Sequence, residues 1–198
     1  YELCKGDIFL QNWVTSTLQR TTKCYKFTLD RKFGILTGTL YIPSLNVELN
    51  PINIFNRKIK DFKSTSYLER GNSLISVNSA TFIPDLKSSS IDYIFTDPPF
   101  GGNIMYSELS LIWESKIKVI TNNREEAIIN NVQHKTLFEY QTLMNQSFKE
   151  YYRVLKPGKW LTIEFSNTSA AVGNSIQDAL RGVGFVVVNV AALDKKQG

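Results

Sequence analysis

The stretch SSSIDYIFTDPPFGG, residues 88–102, decides how the rest of the chain is interpreted. Its apolar run from Ile91 to Phe95 is rich in β-branched and aromatic side chains, which is typical of a strand buried on both faces. The run then continues into DPPFGG, residues 97–102. An ordinary turn needs no carboxylate followed by two prolines, an aromatic ring and two glycines. The stretch therefore predicts a buried strand that ends in a stiff acidic loop.

Strand-like and helix-like segments alternate on both sides of this stretch. Strand-like runs occur at 37–45, 73–80, 91–97, 160–166 and 185–193. Apolar residues spaced three and four apart predict helices at 50–62, 103–117, 136–155 and 171–185, with a less regular one at 6–19. The alternation predicts the α/β class, a sandwich with a mostly parallel central sheet. Such sheets bind ligands at the carboxyl ends of their strands.

Length and composition limit the classes of protein that the chain can belong to. With 198 residues and 42% hydrophobic content, it can build one domain with a sizeable core. A net charge of +5 suits a polyanionic partner without establishing one. Two cysteines and one histidine argue against a metal site made from this chain alone. No apolar window reaches the length of a membrane span, and the few cysteines and missing signal peptide predict a cytoplasmic protein.

The residues of the predicted loop suit a planar ring that carries an exocyclic amine. The carboxylate of Asp97 and the carbonyl of Pro98 can each accept one hydrogen of the amine, and Phe100 can stack on the ring. Pro98 and Pro99 have a fixed φ and no N–H, so they stiffen the loop without adding donors. Two acceptors on its hydrogens localise the lone pair of the amine and direct it toward an electrophile. The pattern indicates transfer of a group to an amine.

At these residues the sequence resembles the DNA amino-group methyltransferases, whose motif is D-P-P-[FY]. Two later runs are also similar to class I methyltransferases, namely FKEYYRVLKPGKWLTIEF at 148–165 and QDALRGVGFVVVNV at 177–190. The longer run DPPFGGNIMYSELSLIWES, residues 97–115, resembles bacterial DNA methylases of restriction-modification and phage-defence systems. The resemblance extends over about residues 70–193.

The resemblance implies a Rossmann-like class I methyltransferase sandwich with its catalytic core at 70–198. Residues 1–69 would be the N-terminal part of that domain or an accessory segment. The implied cofactor is S-adenosylmethionine, and the implied reaction is methylation of adenine N6, or of cytosine N4, in DNA. DNA is the implied partner, with a partner subunit or a second copy of the chain as further expectations.

The resemblance also implies roles for single residues. Asp97, Pro98, Pro99 and Phe100 would be catalytic, acting on a base that has left the stack. Asn78, Ser79 and Asp97 would contact the cofactor. For Asn78 and Ser79, capping of a strand end is an equally open interpretation.

The sequence departs from the family at its cofactor elements. The family places a glycine-rich loop of the form D-P-F-x-G-S-G-T after its first strand, and the eleven glycines of this chain include no such loop. An acidic residue that could end a second strand is also missing, and Asn78-Ser79 stands where relatives often carry an aspartate. We therefore expect an incomplete sheet and a fragment of a longer protein.

Two alternative functions stay open beside DNA methylation. Transfer-RNA guanine N2 methyltransferases carry similar D-P-P-Y-G loops, and a catalytically silent, methyltransferase-like subunit could bind nucleic acid. Two surface features also have two interpretations. The polar segment 118–135 is either a mobile lid or target-recognition piece that orders on DNA, or a plain surface loop. The basic residues Arg57, Lys58, Lys60 and Lys63 form either a solvated helix face or a contact for the DNA backbone.

Overall fold

The computed structural model describes residues 6–29, 33–36, 38–65, 72–167 and 169–191, and only the backbone at 62–65. Over these ranges the protein is a mixed α/β structure with six α-helices and a two-stranded parallel sheet. The predicted α/β class and the parallel pairing are confirmed at this level. A Rossmann-like sheet is not confirmed.

The helices lie close to where the sequence predicts them. They are α1 Ile8–Thr15, α2 Leu18–Thr21, α3 Pro51–Thr65, α4 Tyr106–Ile117, α5 Leu137–Val154 and α6 Ala170–Val183. The strands are β1 Ile91–Thr96 and β2 Leu155–Ile163. The four regular helices are thus confirmed within a few residues at each end, and the predicted helix at 6–19 consists of two short ones. None of the helices in the described ranges has both the length and the apolar character needed to cross a membrane.

The chain forms two compact units. One comprises residues 1–75 and 105–123, and the other comprises residues 76–104 and 124–198. The second unit contains β1, the acidic loop, β2 and helices α5 and α6. The sequence-based division of the domains at 69/70 stays a prediction.

Helices α5 and α6 build the core of the second unit. Helix α5 begins with a capping box, in which the Thr136 side chain accepts the N–H of Phe138 and the Glu139 carboxylate accepts the N–H of Thr136 at 2.7 Å. The two helices bury a shared cluster of side chains: Tyr140, Met144, Phe148, Val172, Ile176, Ala179 and Leu180. Leu161 and Ile163 of β2 pack against this cluster. The sheet is therefore held on one face by a well-formed helical layer.

Strands β1 and β2 pair in parallel around an irregularity. Ile91 is opposite Leu155 and Tyr93 is opposite Trp160, so several residues of β2 bulge beside Asp92. The bulge contains KPG at 156–158, with Gly158 at φ +73°. The predicted helix stop is correct because α5 ends at Val154, but the strand begins at once rather than at residue 160. The Lys156 ammonium, 2.8 Å from Asp92, lowers the pKa of that carboxyl.

Three of the predicted strands are wrong. Among the residues described, 38–45, 73–79 and 185–191 form no strand; residues 37 and 192–193 lie outside the described ranges. Their apolar side chains are largely exposed, with Val77 99% and Val186 82% accessible. A β-prone sequence becomes a strand only when a neighbouring strand takes up its backbone hydrogen bonds. In the described ranges, 73–80 and 185–191 pair with no strand, and 38–45 has only the bond from the Phe27 N–H to the Leu45 carbonyl beside an isolated bridge.

Candidate active site after strand β1

Asp97 is placed at the carboxyl end of β1 by the sheet itself. The last residue of the strand, Thr96, still belongs to the ladder, because its carbonyl accepts the N–H of Glu164 at 3.0 Å. β2 runs parallel to β1, so both strands end at the same edge. The Asp97 side chain is exposed at that edge. This is the place where ligands bind in α/β sheets.

The two prolines of the loop are held in place by the core of the unit. Pro98 is buried and Pro99 is half-buried. The carbonyl of Pro99 accepts a hydrogen bond from the Tyr140 hydroxyl at 2.7 Å. Tyr140 belongs to the core of α5 and is fully buried. The stiff proline pair is therefore tied directly to the core.

Phe100 is held through both its backbone and its ring. Its carbonyl accepts the Nδ2 amide of Asn167 at 2.6 Å, and its ring meets Phe165 edge to face with the centroids 5.6 Å apart. The Asn167 side chain is itself oriented, since its Oδ1 accepts the N–H of Ser169 at 2.6 Å. The half-buried ring is thus positioned by packing on one side.

Gly101 and Gly102 serve the packing of the loop. Gly101 has φ +70°, and its carbonyl accepts the N–H of Ile129 at 3.3 Å. A Cβ at Gly101 would lie 3.3 Å from both Asn167 Nδ2 and Val172 Cγ1, and one at Gly102 would lie 3.3 Å from the Ile129 carbonyl. The positive φ of Gly101 favours glycine there, and the close contacts at both positions show that the pair packs against the protein.

Several acceptors of the loop receive no hydrogen bond from the described residues, and the main-chain carbonyl of Asp97 is one of them. The carbonyls of Pro99, Phe100 and Gly101 are all hydrogen-bonded. No hydrogen bond or ion pair from any described residue reaches the Asp97 carboxylate or the Pro98 carbonyl. These two acceptors are the pair that the sequence predicts for an amine.

Asn78 and Ser79 lie in an irregular, exposed segment. Ser79 makes a local turn, in which its hydroxyl is 2.8 Å from the Thr81 hydroxyl and its carbonyl accepts the N–H of Phe82 at 3.3 Å. Over the described ranges, no hydrogen bond connects either residue with Asp97. Ser79 stabilises this local turn, and it caps no strand end because residues 73–80 form no strand. The role of Asn78 and Ser79 in cofactor binding stays a prediction.

Part of the polar segment 118–135 forms a wall beside the loop. Ile128 is fully buried, and Ile129 contacts Gly101 through its backbone. Lys135 is buried, and its ammonium donates a hydrogen bond to the Glu126 carbonyl at 2.6 Å. Burial lowers the pKa of Lys135. Residues 126–130 and Lys135 are therefore partly or fully buried, whereas Val132 is 89% exposed, and both interpretations of the segment stay predictions.

The basic residues of α3 belong to the other compact unit. Arg57 and Lys60 are exposed, and Lys58 forms an ion pair with Asp61 at 2.9 Å. The side chain of Lys63 lies outside the described residues. Exposure is compatible with both interpretations of this group.

Sequence reasoning missed the two side chains that hold the loop. It placed Tyr140 in the apolar stripe of α5 as a core residue and assigned no role to Asn167. A buried tyrosine needs a partner for its hydroxyl, which could have identified Tyr140. Asn167 follows β2 at the edge where β1 also ends, so the parallel pairing could have placed it near the loop.

Comparisons with known proteins give no match: no family model, no curated protein and no solved structure matches the chain. The interpretation of the site therefore depends on its own residues and their contacts.

Proposed function

We propose that the protein transfers a methyl group from S-adenosylmethionine to an exocyclic amine of a DNA base, with adenine N6 as the preferred acceptor. The observation that carries the proposal is the pair of unused acceptors, the exposed Asp97 carboxylate and the Pro98 carbonyl, beside the half-buried ring of Phe100. A Rossmann-like class I methyltransferase fold, of which the two-stranded sheet would be a part, belongs to the same proposal.

The chemistry follows from the hydrogen bonds that the Asp97 carboxylate and the Pro98 carbonyl would accept from an amine. The lone pair of an amine on a heterocycle is delocalised into the ring, which makes the nitrogen a poor nucleophile. Asp97 and Pro98 accept its two hydrogens and hold the nitrogen so that the lone pair points away from the ring plane. Phe100 supports the ring. Orientation of this kind lowers the barrier without a strong base, because the reacting atoms are already aligned.

The cofactor would supply an electrophilic methyl group on a sulfonium. The residues present fit it only in part. Asn78, Ser79 and Asp97 offer polar groups, but the sequence contains no glycine-rich loop of the D-P-F-x-G-S-G-T form. The steps assigned to this chain are therefore limited to holding the amine and its ring.

DNA is the proposed partner, and a DNA base must leave the duplex before it can reach the loop. An amine inside the stack cannot reach a loop at a strand end, so the base is flipped or unstacked before it binds. The net charge of +5 and the exposed Arg57 and Lys60 are compatible with phosphate contacts. A cytoplasmic restriction-modification or phage-defence setting, with a partner subunit or a second copy, follows from the sequence resemblance.

A second candidate function is a methyltransferase-like subunit that binds nucleic acid without catalysis. The missing glycine-rich loop favours this function, because that loop is the element that binds the methionine part of the cofactor in the family. The two functions differ in whether the protein binds S-adenosylmethionine.

Methyl transfer from labelled S-adenosylmethionine tests the proposal in the wild-type protein, Asp97→Ala and Asp92→Ala. We expect the wild type to label duplex DNA and Asp97→Ala to lose at least about 100-fold in rate, as when one preorganised transition-state partner is removed. Asp92 is the matched control, since it is an exposed aspartate of β1 that pairs with Lys156 away from the loop. Asp92→Ala should keep the wild-type rate.

Three outcomes would contradict the proposal in different ways. A wild-type rate in Asp97→Ala would remove the amine-holding role of that carboxylate. Labelling of RNA alone would favour transfer-RNA guanine methylation. Failure of the wild-type protein to bind S-adenosylmethionine at millimolar concentration in calorimetry would favour the silent subunit.

A further inference from the structure

We infer that Tyr140 and Asn167 are positioning residues that make Pro98 the carbonyl to which the substrate amine binds. The inference rests on the proposed function, because it concerns how the same loop selects its hydrogen-bonding partner. It assigns a role in the site to two side chains that lie outside the DPPF motif.

The pattern of engaged carbonyls carries the inference. After Pro98, three successive carbonyls are hydrogen-bonded: that of Pro99 to Tyr140 at 2.7 Å, that of Phe100 to Asn167 at 2.6 Å and that of Gly101 to Ile129 at 3.3 Å. The three donors come from α5, from the segment after β2 and from the wall at 126–135. Three separate parts of the unit thus fix three adjacent peptide groups.

Tyr140 is suited to this role because the core holds it. Its side chain is fully buried in the cluster shared by α5 and α6. A buried hydroxyl keeps its partner, since loss of the bond leaves the hydroxyl unpaired in the core. Tyr140 therefore fixes the direction of the Pro99 carbonyl, and with it the orientation of the preceding peptide group.

Asn167 acts on the next residue through a defined amide orientation. Its Oδ1 accepts the N–H of Ser169, and its Nδ2 donates to the Phe100 carbonyl. The flipped amide would face a donor with a donor and an acceptor with an acceptor, so the hydrogen bonds themselves decide the orientation. Asn167 also lies against Gly101, where a Cβ would be 3.3 Å from its Nδ2.

The consequence is a defined register for the substrate. With the carbonyls of Pro99 and Phe100 directed into the protein, the amine meets the Asp97 carboxylate and the Pro98 carbonyl as neighbouring acceptors. Without the Tyr140 hydroxyl, the Pro99 carbonyl can turn and compete for the same N–H. The amine would then still bind, but in a geometry in which its lone pair is misdirected.

Tyr140→Phe tests the inference, with Tyr152→Phe as the matched control on the same helix. Tyr152 is an exposed residue whose ring meets Phe185 rather than the loop. In Tyr140→Phe we expect the carbonyl ¹³C resonance of Pro99 to shift, because it loses a hydrogen bond. We expect kcat for DNA methylation to fall by about 10-fold or more with KM for DNA nearly unchanged, since misalignment affects the reacting geometry. Tyr152→Phe should change neither.

Asn167→Asp is the second variant, and it keeps the inference testable if Tyr140→Phe does not fold. It retains the acceptor for Ser169 and removes the donor to Phe100, so the Phe100 carbonyl resonance should shift and kcat should fall. Unchanged carbonyl resonances in both variants, a shifted resonance with wild-type kcat, or equal effects in Tyr152→Phe would each overturn the inference. Shifted resonances in a protein whose wild type transfers no methyl group would instead contradict the proposed function and leave the restraint on the loop intact.

Discussion

The loop at 97–101 and the segment at 185–191 show that backbone hydrogen bonding depends on the partners available rather than on composition. Both belong to the second compact unit and neither has regular secondary structure. The loop combines a charge, two prolines and a glycine, yet three of its carbonyls are hydrogen-bonded. The segment FVVVNVA has a strongly β-prone sequence, yet Val186 and Val190 are exposed. From the sequence alone, one would expect more backbone hydrogen bonds in the segment at 185–191 than in the loop at 97–101.

The difference has a physical cause. Tyr140 and Asn167 are specific donors placed by a helix and a strand end, and each satisfies one carbonyl of the loop. The valine side chains can contribute only by apolar packing, and Val187 does so by packing against the core cluster. The backbone of residues 186–190 would need an adjacent strand, and the described residues supply none. Specific donors can order an irregular loop, whereas β propensity without a neighbouring strand cannot form a sheet.

The largest expected effect comes from removing the core under the loop. Phe148 is fully buried in the same cluster as Tyr140. Phe148→Ala should lower the free energy of unfolding by about 3–5 kcal/mol, through lost burial and the cavity that remains. Urea denaturation followed by circular dichroism measures the change.

Val188→Ala is the control from the other region. Val188 is 67% exposed, so its truncation should change the free energy of unfolding by less than about 0.5 kcal/mol. A large loss in Val188→Ala would mean that residues 185–191 are buried in solution, and the contrast between the two regions would then disappear.

A smaller effect is expected at Gly101, and it sharpens the comparison within the loop. Gly101 and Gly158 have nearly equal φ values of +70° and +73°, so alanine at either position costs about 1–2 kcal/mol of backbone strain. At Gly101 the new Cβ would also press on Asn167 and Val172 at 3.3 Å, whereas at Gly158 nothing lies within 4 Å. Gly101→Ala should therefore destabilise the protein more than Gly158→Ala in the same urea titration.

Equal losses in the two variants would indicate that the packing around Gly101 gives way easily. That result would weaken the view of the loop as a fixed element, while leaving the conformational requirement for glycine at both positions unchanged.

Sequence reasoning was most successful where local chemistry is sufficient. The strand at 91–97, the end of the helix at 136–155 and the apolar periodicity of α5 were all predicted, because β propensity and helical periodicity act over a few residues. The predicted burial of that strand on both faces is wrong, because Tyr93 and Phe95 are 54% and 60% exposed. The strands predicted at 73–80 and 185–193 by the same rules are wrong over the described residues 73–80 and 185–191, since pairing depends on distant residues. Asp97 was predicted at a strand end, where it lies. The tie of Tyr140 to Pro99 spans 41 positions and leaves no local signal.

The smallest effect is the pH dependence of stability that comes from the contacts between α5 and residues 83–86. Glu150 of α5 accepts hydrogen bonds from Arg153 at 2.8 Å and from the N–H of Ile83 at 2.9 Å, while Arg153 also donates to the carbonyls of Ile83 and Leu86. These bonds fasten residues 83–86 to α5. The hydrogen bond from Arg153, followed by that from Ile83, lowers the pKa of Glu150.

Because the pKa of Glu150 is lower in the folded state than in the unfolded chain, its contribution to stability is complete above the ordinary value of about 4.5. It is lost as the pH falls further, through the lowered pKa. Glu150→Gln should therefore show a shallower loss of unfolding free energy below that pH than the wild type. Asp92 and Glu139, whose pKa values are also lowered, leave a residual slope in both proteins.

Residues 185–191 contain no titratable side chain, so Val188→Ala should follow the wild-type pH profile. Identical slopes in Glu150→Gln and the wild type would mean that the Glu150 bonds to Arg153 and Ile83 do not persist in solution.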